Sequence, residues 1–473
     1  MIPEIKFGTD GWRALIARDF TFENTRIVAQ GIAGYIKSQN LLKKGVVIGY
    51  DSRFLSQEFA RECAQVLVGN GIKVFMSNRV TPTPVTAFAV RVTDAAGAIM
   101  ITASHNPPQY NGIKFIPEYA GPAMPDVTFF IENEIKRVAE SGKVYQLSLH
   151  EAEQLGLVTE IDIDKEYISH ILSMVNQDVI RGKKLKVVVN PMFGAGIGYL
   201  DKILSGLECE VKTINNYRDT LFGGLLPEPT RNNLSDLQWA VTNYNADVGL
   251  AMDGDADRFG IVNHQGQFVT PNHIMCLLLD HLLKTRSFRG PVSRSAATTH
   301  LLDRVARKNG LGVIEKPVGF KYIGQAMREK GCILGGEESG GLSIFGHIPE
   351  KDGILAGLLT VEMLAYANKN LDEIIESFTR EYGWMVSERF DVSISPADKP
   401  LLLEQIDQYK PQTIAGIRVV SRNTENNSVE LEDGSWVLIR PSGTEPIIRI
   451  YIEANHQSQL EDMHKEIIEK LNL

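Results

Sequence analysis

The sequence predicts a multidomain α/β protein closed by a smaller α+β domain, on three observations. Helical patterns alternate with short β-rich apolar runs along most of the chain. That alternation gives way to closely spaced β-like runs after about residue 388. The 473 residues also exceed what one hydrophobic core usually serves.

The elements follow in order. After FGTDGWR, the stretch TFENTRIVAQGIAGYIKSQ has helical apolar spacing, GVVIGYD reads as a strand, SQEFARECAQVLVGNG as a helix and IKVFMS as a strand. The theme returns at KVVVN, which leads into the glycine-rich MFGAGIGYL, and again at ADVGLAMDGDAD, GPVSRSAATTHLLDRVARKNG and GCILGGEESGG. From Glu388 on, RFDVSIS, GIRVVS, SVELEDGSWVLIRP and IIRIYIEA are β-like, and QLEDMHKEIIEKL closes the chain as an amphipathic helix. Domains are expected at 1–160, 161–267, 268–383 and 384–473, divided near the charged IDIDKEYI, the HQGQ turn at 264–267 and Arg380. No low-complexity linker marks these limits.

Composition narrows the function. With 43% hydrophobic and 23% charged residues the chain matches ordinary folded proteins and not disordered or fibrous ones. A net charge of −9 opposes nonspecific nucleic-acid binding, so any phosphate ligand must meet local positive charge. The start, MIPEIKFGTDGWR, lacks the apolar segment of a secretory signal, and IMCLLLDHLL is interrupted by charge well short of a membrane span. A cytoplasmic protein without a membrane partner is expected. Cys63, Cys209, Cys276 and Cys332 stand far apart in apolar contexts and read as buried thiols.

Two segments carry chemistry most clearly. IMITASHNPPQYNGIKF (residues 99–115) starts as an apolar strand and breaks at Ser104, where a strand would deliver a hydroxyl into a cleft. A serine can take up a phosphoryl group if a base lies close and cations offset the added charge; His105 and Lys114 are candidates for both tasks. In AMDGDADRFG, Asp253, Asp255 and Asp257 recur at two-residue spacing after a β-like run, so their carboxylates can converge. Unrelieved, they would repel. A hard cation such as Mg²⁺ removes the conflict and leaves room for a phosphate oxygen. The glycine and distal glutamate of an EF-hand are missing; a plain acidic loop is the other alternative.

Two further segments suit a sugar phosphate. GGEESGG (residues 335–341) combines flexible glycines with Glu337, Glu338 and Ser339, which can accept hydrogen bonds from adjacent hydroxyls, although a solvated turn would look similar. RPSGTE followed by Arg449 places Arg440, Ser442, Gly443 and Thr444 as donors within a short loop, which suits an anion cradle, with a plain β-turn as the alternative.

TASHNPPQYNGIK is similar to the phosphoserine signature of the α-D-phosphohexomutases, the family of phosphoglucomutase, phosphomannomutase and phosphoglucosamine mutase. DGDADR, GGEESGG and RPSGTEPIIRIYIEA resemble that family's metal, sugar and phosphate loops, in family order, and FGTDGWR its N-terminal motif. The resemblance implies three related α/β domains and a smaller C-terminal α+β domain around a central active-site cleft. Ser104 would be phosphorylated and would join Asp253, Asp255 and Asp257 as a Mg²⁺ ligand. Lys114 would be a general acid or base, Arg13 part of the site floor, Arg258 a neighbour of the phosphate, and Glu337 and Ser339 the sugar readers.

The implied reaction interconverts glucose 1-phosphate and glucose 6-phosphate, with glucose 1,6-bisphosphate as intermediate and activator, in a monomer or homodimer. Gly341 and Phe320 stand where the dual-specificity branch often has histidines, and GHIPEKDG looks more like phosphoglucomutases. His347 and Lys351 thereby become substrate-contact candidates. A serine-dependent sugar phosphatase and a non-catalytic phosphosugar sensor are the rivals. The separate phosphate cradle speaks against the first, and the intact Ser104, Lys114 and aspartates against the second.

Overall fold

The computed structural model describes residues 5–8, 10–395, 399–424, 426–441 and 447–473. Among them the alternation resolves into four sheets. In the first, the parallel strands Val46–Tyr50, Val74–Ser77, Gly97–Ile101 and Val158–Ile161 are flanked by Tyr110–Pro117 and Trp12–Leu15, which run antiparallel to their neighbours. The second centres on Lys186–Asn190 between Glu210–Thr213 and Val248–Met252, all parallel, and continues antiparallel through Phe259–Asn263 to Phe268–Val269. It therefore runs past the expected turn at 264–267. The third has parallel Val313–Lys316, Val292–Ser295 and Leu334–Glu337, with Gly341–Ile344 antiparallel at the edge.

These three sheets share one plan: three parallel strands with helical crossovers, the third of which turns back through an antiparallel hairpin; the first sheet then adds Val158–Ile161 and the second Phe268–Val269. The fourth sheet differs. Its strands, from Val386–Ser393 to Thr413–Ile414, are antiparallel throughout and are covered by the helix Gln457–Leu471. That helix buries Leu460, Met463, Ile467 and Leu471, the three- and four-residue spacing expected of one apolar face.

Local chemistry explains the main helices. Thr21 caps Phe22–Ser38 by accepting from the Asn24 amide, Asn370 and Glu373 form a reciprocal capping box on Leu371–Tyr382, and Asp352 caps Gly353–Ala367 through the Leu355 amide. Gly353–Ala367 is apolar on nearly all sides because it lies between the second and third sheets. One hydrophobic core accordingly runs through parts of the first three sheets, whereas the fourth has its own around Leu402, Ile439, Ile450 and Met463. The absence of linkers in the sequence has this cause: these units share buried surface. All four cysteines are free and buried, and among the described residues no helix is long and apolar enough to cross a membrane.

Candidate active site

The three hairpins place three motifs at equivalent positions. Residues 102–109 join Gly97–Ile101 to Tyr110–Pro117 and hold Ser104. Residues 253–258 join Val248–Met252 to Phe259–Asn263 and hold the aspartates. Residues 338–340 join Leu334–Glu337 to Gly341–Ile344 and hold Ser339. The loops then meet. Arg258 and Gly341 form a β-bridge, the Phe259 amide donates to Gly340 O at 3.0 Å, and the Thr83 amide donates to Asp255 O at 2.9 Å.

Ser104 is 1% exposed and holds a left-handed φ of 50°, costly for a residue with a side chain. Its amide donates to Thr102 Oγ1 at 2.8 Å. Its hydroxyl donates to Asp253 Oδ2 at 3.0 Å and lies 3.3 Å from His105 Nδ1. The serine and aspartate loops thus come together, the arrangement that the resemblance implied. Arg13 sits beside them, donating to Asn106 Oδ1 at 2.7 Å.

The aspartates are fully buried, with ligand oxygens all within 4.8 Å of one another. Burial and the carboxylates of Asp255 and Asp257 push Asp253 well above its usual range. Asp255 is held low: burial opposes its charge, but Lys114 outweighs burial. Lys114 Nζ donates to Asp255 Oδ2 at 2.8 Å and Asp257 Oδ2 at 2.9 Å, and pairs with Asp10 Oδ2 at 2.9 Å. Oδ1 of Asp255 and of Asp257 are buried without a hydrogen-bond partner. Orphaned carboxylate oxygens converging beside a serine hydroxyl are the donor set a hard divalent cation takes, so the residues fit Mg²⁺.

The same surroundings divide the tasks that the sequence left to His105 and Lys114 jointly. Burial, aided by Arg258, Arg13, Arg53 and Lys114, holds His105 well below its ordinary range. That direction favours the uncharged imidazole, the form that accepts a proton. Lys114 is held well above its range; burial lowers it, and Asp10, Asp255 and Asp257 more than compensate. It supplies the fixed positive charge.

Arg258 follows the aspartates and donates from its backbone to Asp253 Oδ1 at 3.0 Å and from its guanidinium to Glu228 Oε1 at 3.1 Å. Glu337 is buried and accepts from the Gly319 amide at 2.8 Å; burial first, then Glu338, push its carboxyl up to about 7. Ser339 is half-buried beside it. Lys351 enters the site, 3.3 Å from both Asp10 Oδ2 and Asp257 Oδ2 and 3.2 Å from Glu350 Oε1.

His347 does not enter. Its Nε2 meets Asp352 Oδ2 at 2.9 Å and its Nδ1 meets His170 Nε2 at 3.1 Å, with the side chain wholly buried. Both ring nitrogens are engaged by protein, so the substrate contact expected of His347 is corrected: the histidine braces the Asp352 helix cap, alongside Tyr167.

On the fourth sheet Arg440 and Arg449 face one another across the ladder, and Asp391 pairs in register with Arg449. Like charges directly opposite are costly unless an anion relieves them. Asp391 does so in part, 3.1 Å from Arg389 and 3.9 Å from Arg449. The phenol of Tyr451, raised to about 12 by burial, also feels Glu338 of the sugar loop, Arg440 and Arg449. Ser442, Gly443 and Thr444 lie outside the described residues.

Sequence reasoning passed over Asp10, Glu228, Glu350 and Arg389. Asp10 stood in view inside FGTDGWR and Glu350 inside GHIPEKDG; Glu228 and Arg389 are single charges whose neighbours in sequence carry no signal.

Known proteins resemble this chain over nearly all of its length. Family models described as phosphoglucomutase/phosphomannomutase alpha/beta/alpha domains I, II and III match residues 4–142, 165–266 and 270–382, and that of the C-terminal domain matches 403–470. The chain is 29% identical over 462 residues to a phosphoglucomutase/phosphomannomutase of Thermococcus kodakarensis, spanning 96% of this chain and 95% of that protein. It is 32% identical over 472 residues to a protein of Thermococcus gammatolerans named a probable phosphoglucosamine mutase, spanning 98% and 96%. A crystal structure described as a putative phosphomannomutase from Thermus thermophilus matches at a TM-score of 0.85 and 32% identity, covering 99% of this chain and 100% of that one. Matched in all four domains and over nearly its full length, the chain belongs to the phosphoglucomutase/phosphomannomutase family, the α-D-phosphohexomutases.

Proposed function

We propose that this phosphohexomutase interconverts glucose 1-phosphate and glucose 6-phosphate through phosphorylated Ser104 and a glucose 1,6-bisphosphate intermediate. The observation that carries the reading is Ser104 itself: a buried hydroxyl on a strained turn, 3.0 Å from Asp253 and 3.3 Å from a neutral histidine. The C6 oxygen of glucose 1-phosphate bonds phosphorus as the bond to Ser104 Oγ breaks. One proton leaves the sugar hydroxyl and one returns to Ser104 Oγ. His105, neutral and in reach of that oxygen, can hold the proton. The bisphosphate then presents its C1 phosphate and the transfer runs in reverse.

Mg²⁺, held by Asp253, Asp255, Asp257 and a Ser104 phosphate oxygen, would supply electrostatic stabilisation of the charge on the group in transfer. Lys114 contributes fixed positive charge, Arg258 a guanidinium beside the same loop, and Glu337 with Ser339 acceptors for the sugar hydroxyls. Arg440 and Arg449, with Ser442, Gly443 and Thr444, take the phosphate that is not reacting. We assign these roles to four domains divided near residues 160, 267 and 383, each lending one loop.

The glucose preference has one local support. A side chain at Gly341 would collide with the stem of Lys351, whose ammonium lies 5.4 Å from the centre of the Phe320 ring. Gly341, Phe320 and Lys351, which together separate this chain from the dual-specificity pattern, therefore form one packing unit. Glu337 and Ser339 address hydroxyls that the three sugars share, so mannose 1-phosphate should retain some activity. The test is a coupled assay with Mg²⁺ and trace glucose 1,6-bisphosphate, comparing kcat/KM for glucose, mannose and glucosamine phosphates. Glucose should lead. A clear lead for either other sugar would reassign the substrate, and release of inorganic phosphate in place of isomerisation would make the protein a phosphatase.

A further inference from the structure

The segment 51–53, between the strand Val46–Tyr50 and the helix Ser56–Gly69, plays no part in the mechanism above, yet one of its side chains is bonded almost entirely to the Ser104 loop. Arg53 is completely buried. Its Nη2 donates to Ser104 O and Asn106 O, both at 2.6 Å, and its Nη1 to Pro107 O at 2.8 Å and Tyr110 O at 3.0 Å. Four backbone carbonyls from one turn thus converge on a single guanidinium, the only side chain with enough donors in a rigid plane to satisfy them.

The guanidinium is itself aimed from behind. Its Nε forms an ion pair with Asp51 Oδ2 at 3.3 Å without a hydrogen bond, and the same carboxylate accepts from the Arg53 amide at 3.0 Å, from Thr102 Oγ1 at 2.6 Å and from Ser56 Oγ at 2.8 Å. Thr102 Oγ1 in turn receives the Ser104 amide. The aspartate domain covers the open side: Phe222 places its ring 4.9 Å from the guanidinium carbon, Arg218 donates to Ser52 O and Arg53 O, and Ser52 Oγ donates to Phe193 O. The turn holds Ser104 at φ 50°, a conformation it would leave if unsupported.

We propose that Arg53, oriented by Asp51, is a positioning residue that holds the Ser104 turn in register with the aspartate loop throughout both phosphoryl transfers. It touches neither sugar nor reacting atoms; it fixes the carbonyls on either side of the hydroxyl that does. The proposal rests on the phosphoserine reading, and its test separates the two.

Arg53→Lys keeps the charge but cannot reach four carbonyls. Expected are a kcat lower by about 100-fold, the scale of a displacement near 1 Å at a reacting group, a KM within about threefold, and faster hydrogen exchange confined to the amides of residues 103–111. Ser104→Ala, measured in parallel, reports on the phosphoserine reading alone. If Ser104→Ala is inactive while Arg53→Lys turns over within threefold of wild type, the positioning role is overturned and the reading stands. If Ser104→Ala is active, the reading falls, and the exchange data still decide whether Arg53 orders the turn. An activity loss that only follows the unfolded fraction, without local exchange, also overturns the proposal. Should Arg53→Lys not fold, Phe222→Leu strips the ring from the guanidinium while leaving its acceptors; the same local exchange at smaller amplitude is expected, and unchanged exchange overturns the proposal.

Discussion

Lys114 donates to Asp255 at 2.8 Å with both side chains buried, and the same ammonium reaches Asp10 and Asp257. One cation therefore balances carboxylates from two domains, and its removal leaves the buried Asp255 and Asp257 and the half-buried Asp10 with Lys351 as their nearest cation, 3.3 Å from Asp10 and Asp257. Lys114→Met should lower stability by about 3 to 5 kcal/mol, the range for a buried pair that loses one partner, and kcat by at least about 100-fold. Added Mg²⁺ should raise its melting temperature more than that of the wild type, because the ion binds only the folded aspartates. Calorimetry with and without Mg²⁺ checks this; equal shifts in the two proteins would count against shared charge balance.

Asp255→Asn removes one charge from the cation site and leaves the Thr83 anchor an oxygen to donate to. Mg²⁺ affinity and kcat should fall together, each by about tenfold or more. Isothermal titration beside a Mg²⁺ activity curve makes the comparison. Activity indifferent to EDTA in the wild type would remove the metal from the scheme.

The carboxyl of Glu337, pushed up to about 7 chiefly by burial, must be ionised to accept two sugar hydroxyls. KM should therefore fall as pH rises through about 7 and level off above it, and Glu337→Gln should flatten the profile. Stability moves the other way. Between the ordinary carboxyl range and pH 7 the folded chain keeps a proton that the unfolded chain has lost, so this group's contribution declines as pH rises across that window and is constant above it. Parallel KM and denaturation profiles of wild type and Glu337→Gln report both slopes.

Arg440 stands across the ladder from Arg449, far from the Ser104 turn in sequence. Arg440→Ala should raise KM about tenfold or more, the equivalent of one charge-assisted hydrogen bond, with kcat changed far less. Steady-state kinetics decide it; unchanged KM and kcat would take the cradle out of the site.

The parts legible in the sequence were those written in contiguous residues. Asp253, Asp255 and Asp257 announce their convergence by spacing, Ser104 by the break of an apolar strand, and the closing helix by Leu460, Met463, Ile467 and Leu471. What spacing could not supply were partners at long range. Asp10 reaches Lys351 across 341 positions, and Arg53 reaches the turn after Ser104 across more than fifty, each from a loop of ordinary composition. His347 was misread for the same reason: its partner His170 lies 177 residues away, and a loop histidine looks available until that partner is known. The repeated hairpin was hidden too, since three loops of unrelated sequence share only their place after the third parallel strand of each sheet.

The central claim is that Ser104 carries the phosphoryl group. Its most direct test is peptide-level mass spectrometry of the purified chain after incubation with glucose 1,6-bisphosphate, then again after excess glucose 6-phosphate. A single phosphoryl group on Ser104, gained in the first step and discharged into bisphosphate in the second, is the expected result. Mutase turnover with Ser104 never phosphorylated, or with the phosphoryl group on another residue, would contradict it.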